Sequence, residues 1–444
     1  MEVPRGCGGN CDSYETGSVY PHRASFSRPK ETLTLHGFIS TFATRSHPIR
    51  SPSKTEAIMA EAQDMNRRSF LRSTMLGGAG VTLMGTPAWE AAAQMVNGTA
   101  DSPVNGVGLD DPLLVQLSIN ENPLGASHRA IEAVAGKMFG MNRYTMHNEL
   151  EEALAGHHGV DPESVVLGVG SSEILLTATL AAFWNNPGNA VTAFPSYRSI
   201  PRTAEELGQA VKQVPLTGDW QIDLPAISAA VDDNTRIVSI CNPNNPTGQL
   251  LDPAELERTI RAVPNDVIVC VDEAYIQFVD DPAYPSTISL TKEVENLLVS
   301  RTFSKAYGLG GMRVGYGVAH PALLERMQRF SIGLLNKNTL SIVAAMAALK
   351  DQQHVQRTVQ IVREGKAFLY EELEAMGYSP LRTQTIFVTV EVGPNLETLL
   401  DRLWEKKVRV RQAFDMEGFM RISVGLPREN EAFISAFKRE RSAL

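Results

Sequence analysis

The chain has 444 residues, 43% of them hydrophobic and 20% charged, which is enough for a large core and more than one structured region. A formal net charge of −9 without a dense Lys/Arg block argues against a nucleic-acid surface. The 4 cysteines, Cys7, Cys11, Cys241 and Cys270, form neither a disulfide framework nor a zinc-ligand spacing, and no metal site is expected; no apolar stretch is long and clean enough for a stable membrane span.

Residues 1–58 mix Gly, Ser, Pro, Arg and His without periodicity. They are expected to be disordered, or to be an over-long start, since Met59 and Met65 are also credible initiators. Next come Asn66-Arg67-Arg68-Ser69-Phe70-Leu71-Arg72, a mildly apolar stretch from Ser73 to Met84, and Ala91-Ala92-Ala93. Over 59–93 this resembles a twin-arginine export signal, which implies delivery of a folded protein to the periplasm. The competing reading is a basic helix start on a cytoplasmic protein. Residues 94–110 read as a polar linker.

From Leu114 onward, apolar runs alternate with helical patterns, the mark of an α/β fold with a mostly parallel sheet. The expected strands are 165–169, 190–194, 236–241, 267–271, 296–299 and 313–318, with helices over 172–184, 199–207 and 253–262. Near-continuous apolar strands suit a sheet covered on both faces. One long helix is expected over 341–376, then strands near 386–390 and 420–424, which gives a smaller α+β domain over 341–444. The large domain is expected over 141–340, with 111–140 an N-terminal segment that packs with the small domain.

In open α/β sheets, ligands bind beyond the carboxyl ends of the strands. The first expected strand is followed by Gly170-Ser171-Ser172-Glu173, a helix start that offers backbone N–H groups to a phosphate, or an ordinary capped helix. Tyr197 follows the second and can stack on a flat ring. Asn242-Pro243-Asn244-Asn245-Pro246-Thr247-Gly248 follows the third, a proline-pinned loop that presents Asn245. The fourth ends in Asp272-Glu273-Ala274-Tyr275; a carboxylate at the end of a buried strand needs a partner, such as a pyridinium nitrogen, or caps a helix. The fifth leads into Thr302, Ser304 and Lys305, with Arg313 eight residues on: hydroxyls and a guanidinium suited to a phosphate around one lysine.

Taken in order, these segments resemble the class I/II aminotransferases of fold-type I, which use pyridoxal phosphate, and most nearly their histidinol-phosphate branch. The resemblance runs from about Gln116 to the C-terminus and rests on N-P-N-N-P-T-G, D-E-A-Y and F-S-K-A-Y-G-L-x-G-x-R-x-G-Y. It implies that Lys305 carries the cofactor and Asp272 pairs with the ring nitrogen. It places Asn245 and Tyr275 at the phenolic oxygen and Tyr197 on the ring. Gly170, Ser171, Ser172, Thr302, Ser304 and Arg313 would surround the phosphate. Tyr144 matches a tyrosine that a partner subunit contributes to the phosphate, which implies a homodimer with shared active sites. Arg421, with Asn122 and Arg411, would bind substrate. The string Arg411-Gln412-Ala413-Phe414 departs from that branch, where proline usually follows the arginine.

The expected reaction is transamination between an amino donor, histidinol-phosphate-like or aromatic, and a 2-oxo acid such as 2-oxoglutarate, in ping-pong order through Lys305. A decarboxylase, lyase or racemase on the same scaffold is the second reading. A non-catalytic protein that keeps the fold is the third.

Overall fold

The computed structural model describes residues 114–442 apart from 146, 332 and 334–336. The expected export signal with Arg67 and Arg68, the segments 1–58 and 94–110, and Cys7 and Cys11 lie outside the described residues. In chain order, β1 (Val115–Gln116), α1 (His128–Lys137) and α2 (Glu149–His158) lead into β2 (Val165–Val169), α3 (Ser171–Phe183), β3 (Asn189–Phe194), α4 (Ser199–Glu206), β4 (Ala210–Pro215), α5 (Leu224–Ala230), β5 (Thr235–Cys241), α6 (Pro253–Ala262), β6 (Ile268–Asp272), β7 (Leu297–Thr302) and β8 (Val314–Ala319). The remainder is α7 (Pro321–Gln328), α8 (Thr339–Lys350), α9 (Gln352–Ala375), β9 (Phe387–Glu391), α10 (Leu396–Glu405), β10 (Val408–Arg409), β11 (Arg411–Gln412), β12 (Phe419–Ser423) and α11 (Pro427–Arg441).

The large sheet has seven strands in the order β2-β8-β7-β6-β5-β3-β4. The pairings from β4 through β3, β5 and β6 to β7 are parallel, and β8 runs antiparallel to both its neighbours. Strand alternation sorts the side chains onto two apolar layers. Val269, Val271 and Val299 join one core cluster, while Ile268, Cys270 and Leu298 join another that includes α3 residues Ile174, Leu175 and Ala178. Burial of both layers accounts for the apolar runs in the sequence.

The smaller α+β part carries a three-stranded antiparallel sheet, β11-β12-β9. The N-terminal arm joins it: β1 pairs in parallel with β10, and the Ser423 N–H donates to the Leu117 carbonyl at 2.8 Å.

Two local expectations need correction, and one strand was not expected. The helix expected over 341–376 is two helices, broken at Asp351 (φ −99°, ψ 64°), whose carboxylate caps α9 by accepting from the His354 N–H at 3.3 Å. Arg313 is not in a strand; it sits in the left-handed region (φ 53°) just before β8. Strand β4 was missed because it is the sheet edge, where Lys212 and Gln213 break the apolar run.

Candidate active site

The loop after β5 is built to aim one amide. The Asn242 amide donates to the Tyr284 hydroxyl and its carbonyl accepts from Leu251 N–H, while Asn244 bonds Ser196, Thr247 and the Pro195 carbonyl. Gly248 (φ +77°) closes the loop against Thr383, where a Cβ would come within 2.0 Å of the threonine hydroxyl. Asn245 alone turns to the cleft. Its Oδ1 accepts from Arg421 Nη1 at 2.7 Å and its Nδ2 donates to the Tyr275 hydroxyl at 3.4 Å.

Asp272 ends β6 on the side of the sheet shared with Cys270 and, across the register, Cys241. Its Oδ1 is buried without a hydrogen-bond partner among the described residues. Burial, with the neighbouring Glu273 charge in the same direction, pushes its pKa up to about 7. A cationic N–H placed against that oxygen would relieve the cost.

Lys305 follows β7 in a turn where the Thr302 and Ser304 hydroxyls bond each other at 3.0 Å. Its ammonium donates to the Ile119 and Asn120 carbonyls at 3.1 and 2.9 Å and lies 5.9 Å from the centre of the Tyr275 ring. Burial first, then the positive Arg421, lowers its pKa to about 8. Arg421 projects from β12 between Phe387 and Phe414, at 5.3 and 5.8 Å from the ring centres. Its Nη2 donates to the Ser118 carbonyl at 3.0 Å, and burial lowers its pKa to about 10.

The third corner is the start of α3. Its cap is Gly170 (φ 70°, ψ 172°), so neither Ser171 nor Ser172 is used as the cap. The Arg313 guanidinium lies against Gly170, where a Cβ would come within 2.4 Å of Nη2. A Cβ on Gly315 would come within 2.3 Å of the Ser171 nitrogen. These glycines let a guanidinium and helix-start N–H groups share one small space, an anion-binding arrangement. Tyr197 is linked to both corners: Ser172 bonds its hydroxyl, and burial together with the Asp272 charge raises its pKa.

Not every expected residue gathers here. The Asn122 amide is committed to the Lys305 and Ala306 carbonyls, 3.2 and 3.0 Å, and to Thr358, so it fastens the arm to the lysine loop. Arg411 is exposed on β11, directly across the register from Arg421. Tyr144 is 71% exposed on the protein surface. Sequence reasoning gave no individual role to Asn120, Ser423 or Phe387. Alternation places Ser423 on the same strand face as Arg421, which is the signal that could have found it. A cavity of about 280 Å³, lined in part by Glu121, Asn122, Ser304 and Ser423, opens beside this group. A larger cleft of about 1200 Å³ reaches Arg313 but is not lined by Lys305, Asp272 or Arg421.

An orphaned buried carboxylate, a lysine with a lowered pKa and an anion cradle at a helix start fit pyridoxal phosphate, and the fold and site together are those of a pyridoxal-phosphate-dependent transferase. Residues 113–437 match the family model of aminotransferase class I and II. The chain is 38% identical over 331 residues, 73% of its length and 85% of the relative's, to histidinol-phosphate aminotransferase of Moorella thermoacetica. It is 37% identical over 335 residues, 75% of its length and 91% of the relative's, to that of Akkermansia muciniphila. A histidinol-phosphate aminotransferase from Sinorhizobium meliloti, solved with pyridoxal-5'-phosphate, shares the fold at a TM-score of 0.69 and 23% identity, over 79% of this chain and 97% of that one. The protein belongs to the class I and II aminotransferases and is a pyridoxal-phosphate-dependent transaminase.

Proposed function

We propose that the protein moves an amino group from a histidinol-phosphate-like or aromatic donor to a 2-oxo acid such as 2-oxoglutarate, donor and acceptor using the site in turn. The observation that carries this reading is Arg421. It is a buried guanidinium close to Lys305, and no carboxylate among the described residues pairs with it. A buried charge without a counter-charge is costly, so an anionic group of the substrate is its natural partner. Donors and acceptors that share a carboxylate can share that clamp; a histidinol-phosphate donor would present its phosphate there instead. The donor classes follow from the likeness to the histidinol-phosphate branch and from Phe387 and Phe414 beside the clamp.

In this reading Lys305 holds the cofactor and, once displaced by substrate, removes the proton from the donor's Cα; in the acceptor half-reaction it delivers a proton to the Cα of the new amino acid. Bound pyridoxal phosphate supplies the electron sink for that step. Asp272 keeps the ring nitrogen protonated, Tyr275 and Asn245 bond the ring oxygen, and Tyr197 covers the ring. Gly170, Ser171, Ser172, Thr302, Ser304 and Arg313 hold the phosphate, with Tyr144 supplied by the partner in a homodimer. Arg411, exposed and across the register from Arg421, would be a further contact to substrate.

Arg421→Lys tests the reading. Lysine cannot reproduce a planar two-bond grip, and a charge-assisted bond contributes about 1.5–3 kcal/mol, or roughly one to two decades in rate constant. Single-turnover rates with glutamate, aromatic amino acids, histidinol phosphate and 2-oxoglutarate should fall by that much for every substrate that uses the clamp, with cofactor binding retained. Unchanged rates throughout would remove Arg421 from substrate binding. Export of the loaded protein by the twin-arginine route is supported by Arg67-Arg68-Ser69-Phe70-Leu71 and the small residues at 91–93. Replacing both arginines by lysine should hold a longer precursor in the cytoplasm. Finding the parent protein only there, uncleaved, would sink that part.

A further inference from the structure

We propose that Asn120, in the N-terminal arm, is a positioning residue that forces the Tyr275 hydroxyl to donate its hydrogen into the cofactor cleft. The inference rests on the reading above, in which Tyr275 faces the ring oxygen, and adds what sets its direction.

The orientation of the Asn120 amide is fixed by its neighbours. Ser423 Oγ accepts from the Asn120 N–H at 2.8 Å and gives its own hydrogen to Asn120 Oδ1 at 3.0 Å. Oδ1 therefore faces Ser423, and Nδ2 faces Tyr275, donating to the phenol oxygen at 2.9 Å. Asn245 is fixed in the same way. An arginine can only donate, so Asn245 turns Oδ1 to Arg421 and its Nδ2 to Tyr275. The phenol oxygen thus receives two N–H donors and can give its hydrogen to neither. Among the described residues no acceptor takes that hydrogen.

Asn120 itself is well suited to hold this position. It is buried, in the left-handed region (φ 57°), where Asn is tolerated better than most residues. Its carbonyl also accepts from Lys305 Nζ at 2.9 Å, so one arm residue touches both the lysine and the tyrosine. The titratable and charged groups facing Tyr275 are Arg421 from β12, Lys305 from the loop after β7, Cys241 at the end of β5 and Tyr197 after β3. Burial raises the Tyr275 pKa, which keeps the phenol protonated and able to donate.

The test is a pH titration of the visible absorption band of the cofactor-loaded enzyme. A phenol donating to the ring oxygen favours the form in which that oxygen carries more negative charge, the high-pH form. Loss of the donor raises the midpoint. Tyr275→Phe should raise it by roughly one unit or more, and Asn120→Gly, which keeps the left-handed backbone, by roughly half a unit to one. In the Tyr275→Phe background, Asn120→Gly should add nothing. Asn120→Asp, which puts an acceptor where the donor was, serves if the glycine variant does not fold, and should move the midpoint in the same direction. If Tyr275→Phe leaves the midpoint in place, the assignment of Tyr275 to the ring oxygen fails. If Tyr275→Phe moves it and neither Asn120 variant does, or if Asn120→Gly adds an equal shift without the phenol, the role of Asn120 fails and that of Tyr275 stands.

Discussion

At the scale of single residues, the site holds ionisable groups away from their ordinary states by burial. Lys305 titrates near 8 instead of 10.5, so it is an available neutral amine close to neutral pH. Capture of pyridoxal phosphate by the cofactor-free protein should therefore speed up with pH through about 8 and then level. Stopped-flow absorbance would measure this, and a rate still climbing beyond pH 10 would contradict it. The stability linkage has a definite sign. Between 8 and 10.5 the unfolded chain binds more protons at this lysine than the folded one, so Lys305 makes the folded state gain stability as pH rises there. Asp272 acts oppositely. Its folded pKa of about 7 lies above the 3.8 of the unfolded chain, so its contribution is present below about pH 4 and is lost as pH rises through 7. Lys305 and Asp272 were legible because short specific strings surround them. Asn120 was not. Its partners Tyr275 and Ser423 are 155 and 303 residues away, and nothing local points from it to that tyrosine.

At the scale of elements, the ends of β6 and β7 are fixed by a buried ion pair on the neighbours of the site residues. Glu273 follows Asp272 and Arg301 precedes Thr302; Arg301 Nη2 lies 2.7 Å from Glu273 Oε2. Ser286 and Thr287 fill the remaining carboxylate positions at 2.7 to 2.8 Å. Removing one partner leaves the other charged and buried. Glu273→Ala should cost about 3–5 kcal/mol of unfolding free energy, while the paired Glu273→Leu/Arg301→Met change should recover most of it. Urea denaturation of the single and double variants decides this; equal losses in both would mean that packing, not charge, is at stake. The sheet was readable because parallel strands buried on both faces are apolar throughout. The break between α8 and α9 was not, since helical periodicity continues across Asp351 and only its role as a cap stops the first helix. The edge strand β4 lacks the burial that made the other strands conspicuous.

At the scale of the whole molecule, the expected site residue that faces outward is Tyr144. Within one chain it is 71% exposed, in a stretch whose Phe139 and Met141 are also exposed at 94% and 58%. If Tyr144 serves the phosphate of another copy, as proposed above, the exposed apolar stretch is where that copy would pack. A homodimer with shared sites has a consequence that a monomer, or a dimer with self-contained sites, cannot imitate. Lys305→Ala abolishes the site in its own subunit but still lends Tyr144. Tyr144→Phe weakens the partner's site but keeps Lys305. A mixed dimer then contains one intact site, made of Lys305 from one subunit and Tyr144 from the other. Co-expressed in equal amounts and randomly paired, the variants should regain about a quarter of the parent activity at limiting cofactor, although each alone falls well below that. Sedimentation should give the mass of two chains. Mixtures showing only the average of the separate activities would mean that each chain completes its own site, and Tyr144 would leave the phosphate set.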